Sequence, residues 1–173
     1  VYTARLVKRE KPSCKVVFVG PCAAKKLEAM QDDIRTDVDF VLTYEELMGI
    51  FEAKDIDFSK LPDSPDLDEG TKAGRGFAVA GGVAAAVEAL IRKEHPDFEM
   101  KTQRADGLRE CRKLLTLAKT GKLDGYLLEG MACPGGCVAG AGTVVSADTA
   151  AKKLAQHMAQ ATASDADESR FRE

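Results

Sequence analysis

Lys15-Val-Val-Phe-Val-Gly-Pro-Cys-Ala-Ala-Lys-Lys-Leu-Glu28 reads as a strand, a tight turn and a helix in immediate succession. Lys15 to Val19 carries a continuous apolar run, as in a buried strand of a parallel sheet. Gly20-Pro21 ends it, and Ala23 to Met30 is rich in helix formers. The same alternation continues downstream. Asp39-Phe-Val-Leu42 reads as a second strand. Thr43 lies three residues before Glu46, a capping box opening a helix to about Ala53. Phe77-Ala-Val79 reads as a short strand, and Gly81-Gly82 leads into a helix over 83–94 that Pro96 stops. Phe98 to Thr102 reads as a strand, and Asp106 as the cap of a helix to Thr120 that ends at Gly121. Leu123 to Leu128 is the last clear strand, and a final helix is expected over 148–161. Upstream, residues 1–11 read as the end of a helix broken by Pro12-Ser13. Strands alternating with helices predict an α/β fold, a mostly parallel sheet flanked by helices.

Residues 55–76 interrupt this order. Between Asp55 and Glu69 there are six acids and one base, which predicts a solvated, partly mobile loop. We expect one lobe over 1–162 and a flexible polar tail over 163–173. Val1 is not a start methionine and the chain opens inside a helix, so a piece of a longer protein is expected.

Composition narrows the function. Lys plus Arg is 25 and Asp plus Glu is 28, a net charge of −3. That balance argues against a nucleic-acid partner. No apolar stretch is long enough for a membrane span, and no secretory signal is expected from the opening residues. The five cysteines are Cys14, Cys22, Cys111, Cys133 and Cys137. An odd count does not suit a disulfide framework, which favours a reducing, cytoplasmic setting and thiols that bind metal or react.

Three of these thiols stand in telling places. Glu129-Gly-Met-Ala-Cys-Pro-Gly-Gly-Cys-Val138, followed by Ala139-Gly-Ala-Gly142, sets Cys133 and Cys137 four apart on a glycine-rich loop just beyond a strand. Such a backbone can wrap closely around a bulky inorganic group and aim its N–H groups at anionic ligands. The other reading is a glycine-rich turn with two incidental thiols. Cys22 in Gly20-Pro-Cys-Ala-Ala-Lys25 lies at a strand end and a helix start, a position that favours thiolate. The alternative there is a small residue buried at a turn. If the strands are parallel in one sheet, Cys22, Cys133 and Cys137 converge on one edge. Three thiolates are one short of a four-iron cubane's usual set. Cys14 sits at the wrong end of its strand, and Cys111 falls on a helix's apolar face, where a structural thiol is expected.

These two motifs resemble the second and third signature motifs of the [FeFe]-hydrogenase catalytic domain. Asp37-Val-Asp-Phe-Val-Leu-Thr43 and Phe77-Ala-Val-Ala-Gly-Gly82 resemble the same family, and the likeness covers roughly residues 1–145. It implies the second lobe of an iron-only hydrogenase-like domain and an H-cluster, a 4Fe-4S cubane joined to a two-iron subsite bearing CO, cyanide and a dithiolate. By motif, Cys22 and Cys133 would ligate the cubane and Cys137 would bridge it to the two-iron subsite. Lys25 would hydrogen-bond an iron-bound cyanide, and Met131 would pack near that subsite. Glu28 would be a supporting charge.

The first signature motif, which supplies the fourth thiolate and a proton-relaying cysteine, is absent. The resemblance therefore implies a missing N-terminal lobe as partner, with electrons from ferredoxin or iron–sulfur clusters; alone, the fragment is expected to be inactive and largely without the cofactor. Gly20 stands where ordinary catalytic members carry methionine, a change expected to open space beside the two-iron subsite. Gly140-Ala-Gly-Thr143 replaces the usual Gly-Gly-Gly-Gln-Pro ending. These departures resemble divergent, sensory subgroups. The two alternatives to a hydrogenase are a hydrogen- or redox-sensing module with little turnover, and a plain cubane- or zinc-binding protein without the two-iron subsite.

Overall fold

A computed structural model of the chain describes residues 1–62 and 70–169. The chain divides into two compact units, Val1–Asp63 with Gly140–Val144, and Ser64–Ala139 with Val145–Glu173.

The first unit opens with helix α1 (Tyr2–Glu10) and continues through strand β1 (Val17–Gly20), helix α2 (Ala24–Ala29), strand β2 (Phe40–Thr43) and helix α3 (Tyr44–Ala53). β1 and β2 pair in parallel, from Val17 opposite Phe40 to Gly20 opposite Thr43. Parallel partners need a crossover, and α2 lies within it. One carboxylate ties the start of this pair together. Asp39 accepts from Val16 N at 2.9 Å and pairs with Lys8 at 2.8 Å and Lys15 at 3.1 Å. Arg5 on α1 pairs with Asp37 at 2.8 Å, so the basic opening helix is docked by the acids before β2. The capping box is present as read. Thr43 Oγ1 accepts from Glu46 N at 3.2 Å and Glu46 accepts from Thr43 N at 2.8 Å.

In the second unit come the short helix α4 (Lys72–Arg75), α5 (Gly82–Glu94), strand β3 (Lys101–Asp106), α6 (Leu108–Lys119), β4 (Tyr126–Met131) and α7 (Ala147–Ala159). β3 and β4 are parallel, from Lys101 opposite Tyr126 to Asp106 opposite Met131. The fold is therefore α/β with parallel pairing, as read. Among the described residues, however, the four strands form two two-stranded sheets. Each sheet joins consecutive strands across one intervening helix, so the single edge expected to gather the cysteines is not formed.

Four local readings are corrected. Residues 76–78 form a 3₁₀ turn in place of the expected strand, because Val79 N donates to Gly76 O and Ala80 N to the cysteine loop. β3 begins at Lys101, and Phe98 instead turns back to His95 O, leaving its ring exposed. The apolar run of β1 is not buried. Val17 is 46% and Phe18 40% exposed, and since successive strand residues point to opposite faces, neither face of this two-stranded sheet is fully covered there. Asp106 does not cap α6, whose N-cap is Gly107 with no side-chain bond.

The acidic stretch is described only at its ends, where Asp57 caps a turn over Phe58–Lys60 and α4 starts behind Thr71. The loop expectation for 63–69 and the tail expectation for 170–173 lie outside the described residues. Of the remaining tail, Ala163 and Ser164 carbonyls accept from Lys72 and Ala73, and Asp165 and Asp167 pair with Lys93.

Candidate functional site

In the first unit, the chain leaves β1 at buried Gly20 and turns through Pro21 to half-buried Cys22. Cys22 O accepts from Lys25 N at 3.3 Å, starting α2. Lys25 and Glu28, one turn apart on α2, form an ion pair. Lys26 reaches the other way, to Val41 O at 3.1 Å and both Glu46 oxygens at 2.8 and 2.9 Å. That contact holds the Glu46 carboxyl below its ordinary range and fastens α2 to the cap of α3.

The segment after the cysteine loop belongs to this unit. Gly142 N donates to Pro21 O at 3.0 Å, and Glu45 N donates to Gly142 O at 3.3 Å. A Cβ on Gly140 would stand 2.2 Å from Pro21 O, and one on Gly142 2.5 Å from Thr43 Cβ. Glycine is thus required at both places despite the altered ending. At Gly20, where the motif departs from the family pattern, a Cβ would lie 2.7 Å from the Phe18 ring.

In the second unit, β4 delivers the loop carrying half-buried Cys133 and exposed Cys137. Gly135 and Gly136 have φ of +88° and +99°, a region side-chain-bearing residues avoid. Gly136 N donates to Cys133 O at 2.9 Å, closing the turn between the thiols. A Cβ on Gly136 would meet Ala80 N at 2.4 Å and Ala78 O at 2.8 Å. The loop is pressed against the turn that precedes α5. Met131, half-buried, ends β4, and its carbonyl accepts from Gly107 N at 2.8 Å and from the Cys111 thiol at 3.4 Å. Cys111 donates to strand-end carbonyls, as a structural thiol. Cys14 precedes β1, at the end of the strand opposite Cys22.

Two carboxylates escaped the sequence reading. Glu129 on β4 is 8% exposed and accepts from Gly81 N at 2.6 Å and Ala84 N at 2.8 Å, capping α5 from another strand. Its signal was an acid among apolar residues, Leu127-Leu-Glu-Gly-Met131, but its partners lie more than forty residues away. Asp106, taken for a helix cap, accepts instead from Gly135 N at 2.8 Å.

Soft thiols on close-fitting glycine backbone suit iron–sulfur chemistry. Cys22 lies in the first unit, and Cys133 and Cys137 in the second. Among the described residues, no group of three or more His, Cys, Asp or Glu side chains stands together to hold a single metal ion. No described helix is long and apolar enough to cross a membrane.

Residues 1–141 match the family described as iron only hydrogenase large subunit, C-terminal domain. The chain is 30% identical to the periplasmic [Fe] hydrogenase large subunit of Nitratidesulfovibrio vulgaris, over 83% of this chain and 42% of that protein. It is also 30% identical to protein NAR1 of Arabidopsis thaliana, over 84% of this chain and 40% of that one. At 27% identity it resembles cytosolic iron-sulfur assembly component 3 of Pongo abelii, over 82% and 38%. Its fold matches an [FeFe]-hydrogenase solved during H-cluster assembly, with TM-score 0.54, 22% identity, and coverage of 94% of this chain and 56% of that chain. It also matches a variant of the HydA1 hydrogenase from Chlamydomonas reinhardtii, with TM-score 0.53, 22% identity, and coverage of 94% and 57%. The chain spans about two fifths of the length of these curated relatives.

Proposed function

The chain belongs to the iron-only hydrogenase large-subunit family, C-terminal domain, and on that premise we propose that it is the thiolate-bearing C-terminal part of a hydrogenase-like protein whose reaction is H₂ ⇌ 2H⁺ + 2e⁻. The observation that carries this reading is the Cys133–Cys137 loop, with two left-handed glycines between its thiols and no room for a side chain on Gly136. Cys22 and Cys133 would ligate a 4Fe-4S cubane, and Cys137 would bridge it to a two-iron subsite. Bound there, that group would supply the exchange of electrons with hydrogen and protons. Lys25 would leave Glu28 to donate to an anionic ligand, and Met131 would pack near the two-iron subsite. An N-terminal lobe of the same protein would contribute the fourth thiolate and the proton-relaying cysteine. Ferredoxin or an iron–sulfur donor would carry electrons. The odd cysteine count supports a cytoplasmic setting; among the relatives, one is by name periplasmic and another cytosolic.

The test compares Cys133→Ser and Cys137→Ser in the full-length protein, matured identically and examined by infrared and electron paramagnetic resonance. Cys137→Ser should lose the CO and cyanide bands, since only the bridging thiolate is shared by both parts. Cys133→Ser should keep them and perturb the cubane, because oxygen is a harder ligand than sulfur. The reverse pattern would exchange the two assignments. Bands insensitive to both changes would remove the hydrogenase reading of the loop.

A second reading is a cluster protein with little or no turnover. The relatives NAR1 and cytosolic iron-sulfur assembly component 3 favour it, as does Gly20 beneath the Phe18 ring where catalytic members carry methionine. Absence of CO and cyanide bands with an intact cubane would select a plain iron–sulfur protein. Their presence without hydrogen evolution would select a sensory one.

A further inference from the structure

Gly135 and Gly136 are held by different means. Gly136 is trapped sterically against the backbone of Ala78 to Ala80. Around Gly135 there is open space, with nothing within 4 Å of where a Cβ would stand. A glycine with positive φ and no neighbours has the most conformational freedom to lose on ordering. Two hydrogen bonds oppose that freedom. Gly135 O accepts from Ala80 N at 3.1 Å, and Gly135 N donates to Asp106 Oδ2 at 2.8 Å.

Asp106 is well placed to act as a fixed post. It ends β3, where the register sets it opposite Met131, the last residue of the strand that feeds the loop. The next residue, Gly107, donates to Met131 O at 2.8 Å, and a Cβ there would lie 3.5 Å from the Pro134 ring. The carboxylate does not serve the start of α6, which has no side-chain cap. A charged acceptor also makes a shorter and stronger bond than a neutral one. The other grip, Ala80, precedes Gly81, whose N–H is itself held by Glu129.

We propose that Asp106 is a positioning residue for the Cys133–Cys137 loop, holding through the Gly135 amide the shape in which both thiols are offered to a cluster. This rests on the reading of that loop as a cluster site. In this role the carboxylate acts on the backbone between the two thiols.

The test uses the protein in its full length, with Asp106→Ala and Asp106→Asn. Prepared without iron, the two variants and the wild type are compared by amide hydrogen exchange over residues 133–137. Asp106→Ala should exchange at Gly135 about fivefold faster, the loss of a hydrogen bond of about 1 kcal/mol. Asp106→Asn should keep most of the protection, since its amide oxygen still accepts. After identical reconstitution with iron and sulfide, Asp106→Ala should retain less iron per chain and show a broadened resonance from the reduced cluster. Asp106→Asn should resemble the wild type. Unchanged exchange in Asp106→Ala overturns the proposal. So does faster exchange with wild-type iron content and line shape, or an Asp106→Asn that behaves like Asp106→Ala. A wild-type protein that takes up no cluster overturns the functional reading and the cluster half of this proposal together. The exchange result then still decides whether Asp106 shapes the loop.

Discussion

Glu129 is the only ionisable residue among those described that is buried. Both its oxygens are used, on Gly81 N and Ala84 N. Removing them orphans two amides and leaves a gap behind α5. Glu129→Ala should therefore destabilise the protein by about 3 kcal/mol, and Glu129→Gln, which retains one acceptor oxygen, by about half that. Urea midpoints at constant m-value read both. Asp39 makes a prediction in pH. Lys8 first, then the Val16 amide and Lys15, hold its carboxyl far below the ordinary carboxylate range. A group depressed on folding contributes its stability in full above its unfolded value, about 4, and loses it as pH falls toward the folded value. Asp39→Asn should thus flatten the decline in stability below about pH 4 while lowering stability at pH 7. Equal acid slopes for variant and wild type would show that the carboxylate does not fasten β1 to β2.

At the scale of elements, the cysteine loop contains its own internal comparison. Gly135 and Gly136 have nearly the same φ, but only Gly136 faces backbone at contact distance. Gly135→Ala should cost the left-handed strain alone, about 1–2 kcal/mol. Gly136→Ala adds a clash with backbone that no rotamer relieves, and should cost about 3 kcal/mol or more. Thermal unfolding of the two variants measures the gap, and equal costs would mean that the loop does not rest on Ala78 to Ala80. Lys93 on α5 gives an element-scale prediction of opposite sign in pH. Asp167 and then Asp165 raise its ammonium above the ordinary value of 10.5. Its contribution is complete below that value and disappears as pH rises through the raised one. Lys93→Met should accelerate amide exchange over 163–168 at neutral pH, with the wild type approaching it only in strong alkali.

For the whole molecule, the exposed apolar residues are the informative ones. Val17 and Phe18 on β1, Phe40 on β2 and Leu108 and Leu115 on α6 are all uncovered, and no large side chain is fully buried among the described residues. On the proposed reading, in which an N-terminal lobe completes the site, such surface is where further protein would dock. The 173-residue chain should bind an apolar dye strongly, and dye binding should fall when it is produced together with the proposed N-terminal lobe. On the proposed reading, in which the chain supplies three of four cubane thiolates, it should also purify with well under four irons per chain, read by iron analysis. Four irons stably held in air would show that the site needs nothing from outside this chain.

The α/β class, the Thr43–Glu46 capping box, the structural role of Cys111 and both cysteine motifs are legible from the residues, because each depends on neighbours within a few positions or on one helix face. The turn at Phe77, the late start of β3, the exposure of β1 and the division into two sheets are not. Propensity says that Val, Ile and Phe suit a strand; it does not say which strand will lie beside them or whether a second layer will cover them. Asp106 shows the difference most directly. Before a helix, an aspartate is a cap by every local rule. Folding put Gly135 within reach of its carboxylate, twenty-nine residues away in sequence, and a bond to that amide was made instead. Glu129 likewise carries its meaning only where β4 and the start of α5 meet, since a carboxylate is worth burying only when the donors that satisfy it are already in place.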